Sequence, residues 1–302
     1  MSALQAREVR ELARAKINLF LRVGERREDG FHEMESLIAP TSLADELIAT
    51  EADGITLEID PSPGREETPA GPDNLAVVAA LALAEVAAPS RGVAIELVKN
   101  IPVAGGLGGG SADAAAVLLA LNDLWDCGLS PGALDELAAT IGSDVPALLQ
   151  DGASLVRGRG ELVEPIEIEQ MIWVIVPFDF RVLTPEVFGW WDEDAPASTG
   201  NPSAVIAAAR SGDIAGLGAA MFNDLEGPVT ARHPEIAATR ERVLDAGALG
   251  AIMCGSGPSV AALTAGMDAA FEVMRAVPEG GIAVAPALRS EIQWDDPDDG
   301  AL

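Results

Sequence analysis

The chain has no tyrosine, and among its 302 residues only two lysines, two histidines and two cysteines. Without tyrosine no phenol is on hand, so aromatic contacts fall to phenylalanine and tryptophan. Cys127 and Cys254 stand far apart and match no metal-ligand spacing, which points to a reducing, cytoplasmic setting. No apolar run approaches the roughly 18 residues of a membrane span. The opening MSALQAREVRELARAK alternates charges and lacks the apolar stretch of a secretory signal. Positive charge is scarce as well: 19 basic against 48 acidic residues give a formal net charge of −29. Such a field repels polyphosphate backbones, so no nucleic-acid partner is expected, and without a membrane span no membrane partner either. A lysine-poor acidic surface fits a salt-rich cytoplasm and a GC-rich genome equally well. Lys16 and Lys99 have survived that drift and become candidates for a task.

What is present is globular: 49% hydrophobic and 22% charged residues, long enough for one large or two ordinary domains. No repeat of 20–50 residues is found. ARAKINLFLRV (13–23) alternates as a strand, with a turn at REDG (27–30). ELIATEADGITLEID (46–60) reads as a hairpin turning at Asp53-Gly54. Residues 61–73 form a Pro/Gly/acid loop, 74–87 a helix, and 92–102 a strand ending at Pro102. Helices follow at 111–125 and 130–142, with another starting in 143–150. Later come a buried strand at 171–178 and helices at 202–217, 234–247 and 270–278. Residues 249–265 read strand, glycine turn, strand. The natural division is into two α+β halves, 1–165 and 166–302, with a mobile acidic tail at 293–302.

The stretch PVAGGLGGGSADAA (102–115) asks for a reason, because each glycine costs roughly 0.5–1 kcal/mol in regular structure. It lies between a strand and a helix. A helix N-terminus presents unpaired N–H groups and a partial positive charge, and glycines let that backbone wrap an anion. The P-loop is excluded, since no lysine stands between Gly110 and Ser111. The dinucleotide fingerprint fits only if Ser111 replaces its last glycine. On its residues alone the loop is an anion site, most simply for phosphate, or a turn that caps a packed helix.

The same stretch resembles the central motif P-x-x-x-G-L-G-S/G-S-S/A of the GHMP kinases. Residues 13–37, 142–166, 223–229 (NDLEGPV) and 252–263 (IMCGSGPSVAAL) are similar, in order, to further segments of that superfamily. PDNL and NDLE point to the branch that phosphorylates the 2-hydroxyl of 4-diphosphocytidyl-2-C-methyl-D-erythritol in the non-mevalonate isoprenoid route. The resemblance implies an α+β two-domain fold: an N-terminal ribosomal-protein-S5-like ATP-binding domain, a C-terminal ferredoxin-like domain, and an active site in the cleft. It implies ATP and Mg2+ as cofactors, with no metal site built by the protein, in a monomer or homodimer.

Roles carry over residue by residue. Asp144 matches the catalytic aspartate, which takes the substrate hydroxyl proton; its bland alternative is a helix N-cap. Lys16 matches the accompanying lysine, placed to stabilise charge near the transferred phosphoryl group. Asn18 shares its strand face and would touch substrate or the pair, or be a core hydrogen-bonding residue. Phe31, His32 and Phe188 match the residues that hold the cytosine base; Phe31 stands where the family usually has tyrosine, keeping the π face without the hydroxyl. Thr184 and the turn Gly255, Ser256 and Gly257 would lie beside the substrate. Pro102, Gly105, Gly106, Leu107, Gly108, Gly109, Gly110 and Ser111 would cradle the triphosphate. Asn74 and Lys99 would lie near adenine and ribose, unless they are a helix cap and a solvated strand end. Ala112 replaces a frequent second serine. Alternatives are a GHMP kinase for another small alcohol, such as homoserine or a mevalonate derivative, and a non-catalytic nucleotide-binding paralogue. The aromatic–histidine trio favours a pyrimidine, and the retained Lys16, Asp144 and glycine loop favour catalysis.

Overall fold

The computed structural model describes residues 6–61, 69–89, 92–194, 198–277 and 280–284. The tail expected to be mobile and much of the 61–73 loop lie outside them. Two long strands open the chain, β1 (Glu8–Arg26) and β2 (His32–Ala52), paired antiparallel along their length. Register shifts between Arg14 and Lys16 and between Asn18 and Phe20 bend β1 on both sides of Lys16 and Asn18. Bulges of this kind re-aim side chains.

β3 (Ile55–Pro61) follows the bend at Asp53-Gly54. The expected hairpin does not form. β4 (Gly92–Lys99) lies between the two strands, antiparallel to β2 and parallel to β3. A type I′ hairpin turn needs positive φ at both central residues, and neither Asp53 nor Gly54 has it. Instead the Val93 N–H donates to the Gly54 carbonyl at 2.9 Å, so the corner opens to admit β4. Between β3 and β4 the chain forms α1 (Leu75–Ala87).

α2 (Gly109–Leu124) packs on β1 and α1 through Ala112, Ala114, Ala115, Ala116 and Ala120, small enough to bring the helix close. α3 (Pro131–Ile141) is capped by Ser130, whose hydroxyl accepts from the Ala133 N–H. The short α4 (Val145–Leu148) follows, then β5 (Ser154–Gly158) and β6 (Leu162–Pro165), β5 pairing with the start of β2.

β7 (Ile172–Val176) begins a second sheet. Next come α5 (Thr184–Asp194), α6 (Pro202–Ser211), α7 (Ile214–Ala220), β8 (Phe222–Asn223), α8 (Glu226–Arg232) and α9 (Pro234–Asp245). The single helix expected over 202–217 is therefore two. Gly212 ends α6 at φ +69°, and the Asp213 carboxylate caps α7 by accepting from Gly216. β9 (Gly250–Met253), β10 (Val260–Thr264), α10 (Met267–Ala276) and β11 (Ile282–Val284) complete the chain. The second sheet runs β11-β7-β10-β9, all antiparallel. Helices join its first strand to its second and its third to its fourth, which is the βαββαβ ferredoxin-like arrangement. The first sheet runs β3-β4-β2-β1-β8, with β5 and β6 branching from β2.

β8 crosses between the halves by adding to the first sheet beside β1. The main core likewise joins Leu19, Leu47 and Leu118 to Trp173, Ile252 and Leu263. Among the described residues no helix is long and apolar enough to cross a membrane.

Candidate active site

A cavity of about 890 Å³ opens where the sheets meet, within the size range of small-molecule sites. Every candidate site residue from the sequence lines it. The bent stretch of β1 supplies Lys16 and Asn18, buried at the floor. The Lys16 ammonium lies 3.4 Å from the Asp144 carboxylate and donates to the Asn18 side-chain carbonyl at 2.7 Å. The Asn18 amide donates to Ser36, whose hydroxyl donates to the Phe20 carbonyl, so the lysine head rests on a chain anchored in the sheet. Asp144 occupies the N-cap position of α4 yet makes no capping bond. Its carboxylate faces Lys16, so the bland alternative of a cap does not describe it.

The backbone amide of Lys16 donates to the Leu107 carbonyl at 2.9 Å, tying the glycine loop to the same strand. Gly108 caps α2 in the left-handed region, and the first helical bond runs from Ala112 to its carbonyl. The N–H groups of Gly109, Gly110 and Ser111 precede that bond and have no acceptor four residues back. All three residues line the cavity. Gly106, at φ +75°, has a second reason to be glycine: a Cβ there would overlap the Cys254 carbonyl oxygen. The loop is thus laid against the 255–257 turn, and the Ser259 N–H bonds Gly105 across the seam. Burial pushes the Cys254 thiol up to about 12.

Lys99 is not a solvated strand end. It is buried, with its ammonium held by two buried carboxylates, Asp45 and Asp113. Asp45 also accepts from the amides of Asn100 and Ile101. This triad locks the entrance of the glycine loop to β2 and α2. Burial raises Asp113 to about 7, against the pull of Lys99 and helped by the Asp45 charge. Lys99 sits above its usual value: burial opposes its charge, and the two carboxylates more than compensate. One Asp113 oxygen has no hydrogen-bond partner among the described residues. Asn74 lines the cavity while capping α1, accepting from Ala76 at 2.9 Å.

At the other end, His32 is buried and fixed on three sides. Its Nδ1 meets the Gly24 carbonyl at 3.1 Å, its Nε2 meets Asp192 at 3.2 Å, and its ring stacks on Phe188 at 5.3 Å. Phe31 is 48% exposed, with the Arg159 guanidinium 5.3 Å over its face. The structure therefore brings Phe188 onto His32 and Arg159 onto Phe31. Thr184 and Ser256 share a hydrogen bond of 2.9 Å that joins the start of α5 to the 255–257 turn.

Sequence reasoning gave no role to Asp45, Asp113, Asp192 or Arg159, whose partners are distant in the chain. It noted NDLE only as a likeness. There Asn223 donates to the carbonyls of Met253 and Gly255, Asp224 accepts from Val23, and Glu226 accepts from Met253. The motif staples the 255–257 turn to β1.

Comparison with known proteins places this geometry. Residues 74–152 match the GHMP kinases N terminal domain and residues 205–283 the GHMP kinases C terminal. A 4-diphosphocytidyl-2-C-methyl-D-erythritol kinase of Pelotomaculum thermopropionicum is 43% identical over 266 residues, 87% of this chain and 91% of that protein. The same-named protein of Symbiobacterium thermophilum is 45% identical over 249 residues, 82% and 87%. A crystal structure of 4-(cytidine 5′-diphospho)-2C-methyl-D-erythritol kinase superposes with a TM-score of 0.78 at 36% identity, covering 93% of this chain and 99% of that one. A homoserine kinase from Cytophaga hutchinsonii shares the fold, with a TM-score of 0.72 at 20% identity. The chain belongs to the GHMP kinases, in the family of the 4-diphosphocytidyl-2-C-methyl-D-erythritol kinases.

Proposed function

We propose that the chain transfers the γ-phosphoryl group of ATP to the 2-hydroxyl of 4-diphosphocytidyl-2-C-methyl-D-erythritol, a step of the methylerythritol phosphate route to isoprenoids. One observation carries the mechanism: a carboxylate at a helix start that makes no cap and instead faces a buried lysine 3.4 Å away, beside the glycine loop. Asp144 accepts the proton of the 2-hydroxyl as its oxygen attacks the γ-phosphorus; ADP leaves and a phosphate monoester remains. Lys16, steadied by Asn18, stabilises the charge that develops on the transferring group. The free N–H groups of Gly109, Gly110 and Ser111, at the positive end of α2, hold the triphosphate. Phe31, His32 and Phe188 hold the cytosine.

Among the described residues no cluster of three His, Cys, Asp or Glu could hold a metal ion. A Mg2+ ion would be carried mainly by the nucleotide phosphates, with the Ser111 hydroxyl as a protein ligand. When bound, the ion neutralises phosphate charge.

The aromatic–histidine end separates this reading from a kinase of homoserine or mevalonate, because those alcohols give it nothing to hold. An ADP-release assay offering the cytidyl substrate beside homoserine and mevalonate tests it, at low and at high salt. Turnover with the cytidyl substrate is expected, and turnover confined to the others overturns the reading.

A further inference from the structure

Four cationic side chains line the cavity: Lys16, Arg26, Lys99 and Arg159. Three face carboxylates: Lys16 faces Asp144, Arg26 faces Asp192, and Lys99 faces Asp45 and Asp113. Arg159 has no carboxylate within 4.0 Å of its guanidinium among the described residues. Glu161, two positions on, gives its carboxylate to the Arg159 backbone N–H and to Arg27. A half-buried cation without a counter-charge is costly to keep in a folded protein. In a chain of net charge −29 it is all the more notable.

Its position explains what could balance it. The guanidinium donates to the Ala139 carbonyl at 3.2 Å and covers one face of Phe31. The next residue, Gly160, is pressed so closely on Ser143 that a Cβ would overlap the Ser143 carbonyl. Ser143 precedes Asp144. The Arg159 turn is therefore wedged between the base-holding ring and the catalytic carboxylate. Arg159 lines the same cavity as Phe31 and Asp144, on the wall that a substrate spanning the two would face.

We infer that Arg159 binds the diphosphate linking the cytidine and methylerythritol parts of the substrate, and so selects a nucleoside diphosphate conjugate over a bare alcohol. The inference rests on the cytidyl reading above. A guanidinium presents a planar fork of donors that matches phosphate oxygens. The bond to Ala139 holds that fork in place and leaves other N–H groups free. The Phe31 contact keeps its plane against the cavity wall.

The test uses the full chain and two probes, CDP and cytidine, titrated into wild type, Arg159→Ala and Arg159→Lys, with steady-state kinetics beside. Wild type is expected to bind CDP more tightly than cytidine. In Arg159→Ala the affinity for CDP should fall about 10- to 100-fold, with cytidine changed less than about twofold. The KM for the cytidyl substrate rises with it and the KM for ATP stays, while Arg159→Lys recovers part of the loss. If CDP and cytidine weaken together, Arg159 merely props Phe31 and the inference is overturned; unchanged CDP binding overturns it too. Should Arg159→Ala melt early, Arg159→Lys alone carries the comparison, because a lost fork lowers CDP affinity while cytidine binding reports the intact ring site. Wild type that binds neither probe removes the cytidyl reading itself, an outcome distinct from failure of Arg159 alone.

Discussion

The two ends of the cavity are built by opposite means. The glycine-loop end, where we place the nucleotide, is mostly backbone: the first N–H groups of α2, a glycine loop laid on the 255–257 turn, and Lys99 neutralised by Asp45 and Asp113. The opposite end, where we place the substrate, is mostly side chain: Phe31, His32, Phe188 and Arg159, contributed by two turns, the start of β2 and α5. A backbone site tolerates change only where a Cβ fits, whereas a side-chain site can be trimmed one group at a time. Damage at the first end should therefore register as lost fold or lost ATP, and at the second as lost substrate.

The seam between them should give the largest effect. Asp144→Asn, which keeps the shape and removes the base, is expected to lower kcat on the order of 10²- to 10⁴-fold with both KM values little altered; full activity would take the carboxylate out of the mechanism. Gly106→Val attacks the backbone end. It forces a side chain into the Cys254 carbonyl at φ +75°, and a loss of about 2–4 kcal/mol in denaturant unfolding is expected. An unchanged midpoint would mean the loop yields and the contrast between the ends is false. Phe31→Ala trims the other end, and should raise the KM for the cytidyl substrate about tenfold or more while leaving that for ATP. Equal changes in both would erase the distinction.

Smaller, and specific to the triad, is a pH effect. Asp113 binds its proton near pH 7 in the fold and near its ordinary 3.8 when unfolded. Its contribution to stability is full below about 3.8 and is lost as pH rises through about 7. Thermal melting from pH 4 to 8 should show wild type losing stability relative to Asp113→Asn over that window. The opposite slope would refute the burial argument. Least in size, Cys254 should resist alkylation in the native chain at pH 8, since so little of it is thiolate; rapid labelling by iodoacetamide would show that the seam opens.

Much of this was legible locally. The capped helix at 130–142 was readable from its own residues, and Asn74 does cap α1, its bland alternative; the glycine run reads locally as an anion site or a helix-capping turn. What was not legible depends on distant pairings. Asp53-Gly54 looks like a hairpin turn because nothing nearby says that β4, some 40 residues later, will enter between its arms. The Ser-Gly-Asp break in 202–217 was hidden by an apolar pattern that runs through it. Lys99 could be noticed for its rarity but not assigned partners, since Asp45 lies 54 residues away. Arg159 and Phe31 meet only because β5 pairs with β2.

The burial of both lysines has a practical consequence. At 4% and 5% exposure, Lys16 and Lys99 leave the described surface without a single side-chain amine. All the exposed positive charge there is guanidinium. An amine-directed acylating reagent should therefore find next to nothing to label on the folded side chains, and denaturation should release two reactive sites at once. Lysine acylation becomes a sensitive meter of unfolding in this chain, reported at two known positions, Lys16 and Lys99.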